Sequence, residues 1–144
     1  STSGHDLMHG HPFAQKRFEQ AEQNLTDLLE ILANGDLTGF ISIVESEALT
    51  LHAMMMTSHP SYLLMQPATL SIIQAVWKFR QATGIPICFT LDAGANVHLL
   101  YPNYCKKEVL AFILKDLVAY CQNGRYICDE MGAGSKQLNE YKIL

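Results

Sequence analysis

The stretch Ile85-Pro86-Ile87-Cys88-Phe89-Thr90-Leu91-Asp92-Ala93-Gly94-Ala95-Asn96-Val97-His98-Leu99-Leu100-Tyr101 decides the fold. Upstream of it, apolar residues recur at helical spacings of three and four. Here the period changes. Ile85 to Leu91 is a short, apolar, β-rich run, and Asp92 to Asn96 is turn chemistry. Val97, Leu99 and Tyr101 then alternate with His98 and Leu100, as a second strand requires. A hairpin over 85–101 follows from this pattern.

The flanks read as helices. His11-Pro12 opens the first, since proline fits a first helical turn. Its stripe is Ala14, Phe18, Ala21, Leu25, Leu28 and Leu32. Asn34-Gly35 ends it, and Asp36 caps a second helix with Leu37, Phe40, Ile41, Val44, Ala48, Leu51 and Met55 on its stripe. Pro60 interrupts the helical pattern at 57–61. Pro67 opens a third helix, with Leu70, Ile73, Val76, Trp77 and Phe79 apolar, and Gly84 closes it. After the hairpin, Glu108 to Cys121 is helical, with Val109, Phe112, Ile113, Leu117 and Tyr120 on one face. Arg125 to Met131 reads as a third strand, Gly132-Ala133-Gly134 as a flexible break, and 137–144 as a further strand. Helices, hairpin, helix and strand in that order predict an α+β fold, an antiparallel sheet covered by helices. The 144 residues, without repeat or linker, read as one unit, and the 49% apolar content suffices for a core.

Composition narrows the function classes. A net charge of −4 argues against a nucleic-acid surface, which needs clustered Lys and Arg. No apolar run approaches the roughly 18–20 residues of a membrane span. Cys88, Cys105, Cys121 and Cys128 form no C-x-x-C pair, and are expected to be reduced, mostly buried thiols of a cytoplasmic protein.

Four stretches carry candidate chemistry. Asp92-Ala93-Gly94 puts a carboxylate at a strand end, where the backbone allows close approach of a ligand. Alone, it is also ordinary turn chemistry. Gly132-Ala133-Gly134-Ser135-Lys136 looks like a truncated phosphate loop but lacks the full spacing. His5, His9 and His11, with Asp6, offer metal-type ligands, yet Gly4, Gly10 and Pro12 oppose the helix that would align them. Leu51-His52-Ala53-Met54-Met55-Met56-Thr57-Ser58 places His52 beside the apolar stripe, as a helix-end histidine bonding a carbonyl, while its methionines fill a core.

Taken together, Ser1-Thr2-Ser3-Gly4-His5, Glu45 to Ser58 with Leu51-His52-Ala53, and Phe89 to Val97 resemble the C-terminal half of diphosphomevalonate decarboxylases, members of the GHMP kinase superfamily. The resemblance runs from Ser1 to about Leu138. The family's T-x-D-A-G-P-N motif is matched by Thr90 to Asn96 except for Ala95 in place of proline. Its S-S-x-x-G-M motif is matched from its second serine, Ser1, on, with His5 in place of methionine.

The resemblance implies a ferredoxin-like GHMP kinase C-terminal domain, with Asp92 as the catalytic aspartate and Ser1, Ala93 and Gly94 near the phosphate-bearing ligands. It implies ATP and Mg2+ as cofactors, mevalonate 5-diphosphate as substrate, and isopentenyl diphosphate, phosphate and carbon dioxide as products. A cytoplasmic homodimer in the mevalonate pathway of isoprenoid biosynthesis is expected. The ATP-binding loop of such enzymes lies in an N-terminal domain absent from this chain, so the chain alone is expected to be inactive. No metal ligand is assigned in it. Two alternatives stay open: a related kinase or decarboxylase acting on another mevalonate derivative, and a non-catalytic ferredoxin-like interaction or sensing module.

Overall fold

A computed structural model describes residues 10–134. Helix α1 spans Ala14–Asn34 and closes on Gly35, which takes the left-handed conformation at φ 67°. Glycine suits that position because it has no Cβ to clash. Asp36 then accepts hydrogen bonds from the backbone N–H groups of Thr38 (3.1 Å) and Gly39 (3.0 Å), capping α2, Leu37–Met56. Helix α3, Pro67–Thr83, has its proline at the first helical position and ends on Gly84 at φ 70°. Strands β1 (Cys88–Leu91) and β2 (Val97–Leu100) pair antiparallel, with Cys88 opposite Leu100 and Thr90 opposite His98.

The chain then makes a 3-10 turn at Asn103–Cys105 and enters α4, Lys106–Phe112, which continues as a π-helical turn at Ile113–Leu117 and a 3-10 turn at Val118–Tyr120. The expected α+β class holds: helices pack on an antiparallel pair of strands.

The core lies between α2, α3, β1 and the α4 segment. Ala48, Ile73, Val76, Phe89, Leu91, Val109, Phe112 and Leu117 are among its buried members. Three of the four β1 residues are buried, so this strand is covered on both faces, whereas β2 alternates between half-buried and exposed. Phe79 of α3 stacks on Phe112 of α4 at 4.1 Å between ring centroids.

Several expected faces turn out rotated. In α1, Phe18, Leu25 and Leu32 are exposed. The half-buried side keeps Ala14, Ala21 and Leu28 of the expected stripe and adds Arg17, Asn24 and Ile31. The cause is polar: Glu47 of α2 accepts hydrogen bonds from Arg17 and from Asn24 (2.6 Å), and this seam sets how α1 sits. In α3, Ile73 and Val76 are buried as expected, joined by Thr69, while Leu70 and Trp77 are exposed. Tyr120 is 45% exposed rather than buried.

The expected strand from Arg125 to Met131 does not form. Ile127 is 95% and Met131 99% exposed, so among the described residues the segment has neither a paired neighbour nor a face to bury. The further strand expected at 137–144 lies outside the described residues.

A buried polar knot ties the layers together. Glu45 on α2 accepts from Trp77 Nε1 (2.8 Å) and from both terminal nitrogens of Arg80 (2.6 and 3.0 Å), all on α3. Arg80 also donates to the Ile87 carbonyl at 2.6 Å, one residue before β1. The hydrogen bonds to Glu45 raise the Arg80 pKa further above its ordinary value, against the opposing effect of burial. Removing one partner of a buried pair leaves the other charge uncompensated. Arg80 is a quarter exposed, so Glu45→Ala is expected to destabilise the chain by about 1–3 kcal/mol, less than for a fully buried pair. Urea unfolding checks this, and a loss below about 1 kcal/mol would mean the pair behaves like an exposed ion pair.

Candidate functional site

The turn between the strands is built from its backbone outward. The Asp92 carbonyl accepts from the Gly94 N–H at 2.7 Å, which folds the chain tightly over Ala93. The same carbonyl accepts from His52 Nε2 at 3.1 Å. A carbonyl can only accept, so Nε2 carries the imidazole proton. His52 is 1% exposed on α2, so its hydrogen bond is sheltered from water.

At the far side of the turn, the Thr69 hydroxyl of α3 donates to the Ala95 carbonyl at 2.8 Å. That hydroxyl also accepts from the Gln66 N–H at 3.1 Å, at the start of α3. Two helices thus hold the two ends of one five-residue turn.

The side chains on the turn face outward. Asp92 is 81% exposed at its side chain, and Oδ2 accepts from His98 Nε2 at 3.0 Å. His98 stands opposite Thr90, so it lies on the same sheet face as Asp92 and reaches it along the diagonal between strands. A Cβ built at Gly94 would meet nothing within 4 Å, so the backbone there is open to approach. Among the described residues the arrangement is a carboxylate held at one oxygen, open at the other, on a turn with fixed backbone.

The other sequence candidates separate from this one. Ala93 and Gly94 sit on the turn with Asp92. Ser1, His5, Asp6 and His9 lie outside the described residues. His11 is buried and serves structure: its Nδ1 accepts from the Phe13 N–H at 3.2 Å and its Nε2 donates to Thr57 Oγ1 at 2.9 Å. Among the described residues no group of three or more His, Cys, Asp or Glu could hold a metal ion. Gly132 to Gly134 are exposed, irregular backbone, and Ser135 and Lys136 lie outside the described residues.

The cysteines are all free, with Cys88 and Cys105 buried, Cys121 half-buried and Cys128 exposed, so burial is less general than expected. Burial, reinforced by the Glu45 charge, pushes the Cys88 thiol up to about 11, so it is no nucleophile at neutral pH.

Sequence reasoning expected His52 beside the apolar stripe, bonding a carbonyl at its helix end; it lies instead on the buried face and bonds the Asp92 carbonyl, 40 positions away. Sequence reasoning missed His98, Thr69 and the Glu45–Arg80 pair. A signal existed for His98: hairpin parity puts it on the Asp92 face. Glu45, Ala48, His52 and Met55 also share one helical face, all buried, so two polar residues on a core face were readable as groups with distant partners.

Helices laid on an antiparallel hairpin with an exposed carboxylate at its turn make this an α+β domain. The chain belongs to the mevalonate 5-diphosphate decarboxylase C-terminal domain family, whose model matches residues 1–142. A mevalonate diphosphate decarboxylase structure from Legionella pneumophila superposes with a TM-score of 0.76 and 33% identity, over 83% of this chain and 38% of that one. The Enterococcus faecalis mevalonate diphosphate decarboxylase, described for mevalonate diphosphate mediated ATP binding, gives 0.73 and 25%, over 78% and 35%. A phosphomevalonate decarboxylase of Haloferax volcanii is 29% identical over 85 residues, 59% of this chain and 26% of the relative. The chain thus spans about a quarter of the length of that relative and little more than a third of the solved structures.

His52→Leu is expected to speed amide exchange at 92–96 by about 10-fold, the equivalent of one lost hydrogen bond, while α1 amides stay unchanged. Exchange followed by mass spectrometry tests this. Unchanged rates in the turn would mean that the Thr69 contact alone holds it.

Proposed function

We propose that this chain is the C-terminal part of an ATP-dependent decarboxylase that converts mevalonate 5-diphosphate to isopentenyl diphosphate, phosphate and carbon dioxide. Residues 1–144 form one unit of it, and an N-terminal portion supplies the ATP-binding loop. The observation that carries the reading is the exposed Asp92 carboxylate on a turn pinned at both ends, within Thr90-Leu91-Asp92-Ala93-Gly94. Family membership supports the reaction class.

In this reading the tertiary 3-hydroxyl of the substrate attacks the γ-phosphate of ATP. The new 3-phosphate then leaves as the carboxylate departs as carbon dioxide, and the electron pair of the broken C–C bond forms the double bond. Asp92 orients the hydroxyl and accepts its proton. A carboxylate is too weak a base to ionise an alcohol beforehand. Proton transfer therefore comes late, as the oxygen bonds to phosphorus, which suits the loose transition state of phosphoryl transfer.

Gly94 and Ala93 leave room for the phosphate-bearing part of the ligand, and Ser1 is a further candidate contact. Magnesium does not fit the described residues, which offer Asp92 paired to a histidine rather than a ligand set. In this reading its ligands come from the N-terminal portion and the nucleotide. A cytoplasmic homodimer is the assembly and location proposed. The described helices include none long and apolar enough to cross a membrane.

The Haloferax volcanii relative, a phosphomevalonate decarboxylase, favours a second reading in which the substrate is the monophosphate. Both readings use Asp92 in the same way and differ in contacts outside this chain.

In a complete enzyme carrying this chain, Asp92→Asn is expected to lower coupled ADP formation and carbon dioxide release by about 10²–10⁴-fold. Near-normal rates would remove Asp92 from the chemistry. The parent enzyme assayed on mevalonate 5-diphosphate and mevalonate 5-phosphate side by side decides between the two substrates by the ratio of kcat/KM.

A further inference from the structure

We infer that His98 is a positioning residue for Asp92: its Nε2–H holds Oδ2 and thereby turns Oδ1 toward the substrate hydroxyl. The inference rests on the reading of Asp92 as the base. It begins with exposure. An aspartate side chain that is 81% exposed at a turn has little packing around it to fix its carboxylate. Here the backbone of the turn is fixed by His52 and Thr69, yet neither touches the carboxylate. Among the described residues the carboxylate's hydrogen-bond partner is His98, at 3.0 Å.

The geometry of the hairpin makes this contact a consequence of register. Thr90 pairs with His98 and Leu91 with Val97, so the next diagonal joins Asp92 to His98 on one face. Any shift of one residue would send His98 to the other face. The register is held from the core side, where Phe89 and Leu91 are buried.

An ion pair this exposed contributes little to folding. Its effect is directional. It engages a lone pair of one oxygen and leaves those of the other for the proton to be taken. Base catalysis needs the acceptor within hydrogen-bond reach of the proton it abstracts, so a carboxylate free to rotate presents the productive oxygen only part of the time.

The test uses the complete enzyme with mevalonate 5-diphosphate, ATP and magnesium, and compares His98→Leu, His98→Gln, Asp92→Asn and Asp92→Asn/His98→Leu. His98→Leu is expected to lower kcat by about 10-fold and to leave KM for both substrates within about two-fold. His98→Gln, which keeps an N–H donor, restores most of the rate. In the Asp92→Asn background, His98→Leu costs nothing further, because its target is already gone. His98 is half exposed on its strand, so both substitutions keep the parent melting temperature.

A His98→Leu enzyme with parent kcat, alongside a crippled Asp92→Asn, would overturn the positioning role and leave Asp92 standing. Equal fold losses from His98→Leu in both backgrounds would show that His98 acts on its own, and would also overturn it. A near-normal Asp92→Asn would instead overturn the reading of the base on which the inference rests.

Discussion

The structure depends on Glu45. A carboxylate that takes up a buried position must find donors, and Glu45 finds them in Trp77 and Arg80 on α3. Arg80 in turn holds the Ile87 carbonyl at the entry to β1. Three elements are thereby placed relative to one another by one carboxylate. Everything at the hairpin turn follows from that placement. His52 lies two helical turns beyond Glu45 on α2, on the same face, and Thr69 lies about two turns before Trp77 on α3. These two residues reach opposite ends of the turn at 92–96. If α2 slid along α3 by even part of a helical turn, one of the two contacts would be lost. Hydrogen bonds of about 3 Å do not stretch to follow such a slide. The buried ion pair need not raise stability over an apolar substitute. What it does is select one alignment of two helices, and the site is sensitive to alignment.

Much of this was legible in the sequence, and the parts that were not have a common cause. Gly35, Asp36, Pro67 and Gly84 mark helix ends by chemistry local to a few residues, so their reading survives without knowledge of the fold. The hairpin is legible for the same reason, because turn residues flanked by period-two strands are a local code. Helix phase is not local. The spacing of Ala14, Phe18, Ala21 and Leu25 requires a helix, but which side faces inward depends on Glu47, on a different helix, drawing in Arg17 and Asn24. Trp77 and Leu70 look like core residues by type. Trp77 is instead the rim of a polar knot, its N–H turned inward and much of its ring left outside. The stretch at 125–131 is apolar enough for a strand, yet a strand needs an edge to pair with, and no property of its own residues supplies one.

The site follows the same division. An exposed carboxylate at the turn was readable from Asp92-Ala93-Gly94, and by turn statistics alone Asp92 would be an ordinary hairpin residue. Its supports were hidden because they come from positions 52 and 69, far along the chain. They also answer a question that the motif raised. Proline at the position of Ala95 would fix φ there and stiffen the turn, and alanine does not. In this chain the carbonyl of residue 95 is the atom that Thr69 holds, and proline and alanine present that carbonyl alike. The stiffness lost with the pyrrolidine ring is therefore supplied from α3, at the same residue. A turn held by its neighbours rather than by its own dihedral angles keeps its shape only while those neighbours are aligned. That returns the geometry of Asp92 to the buried carboxylate of Glu45, which no property of the turn itself would have suggested.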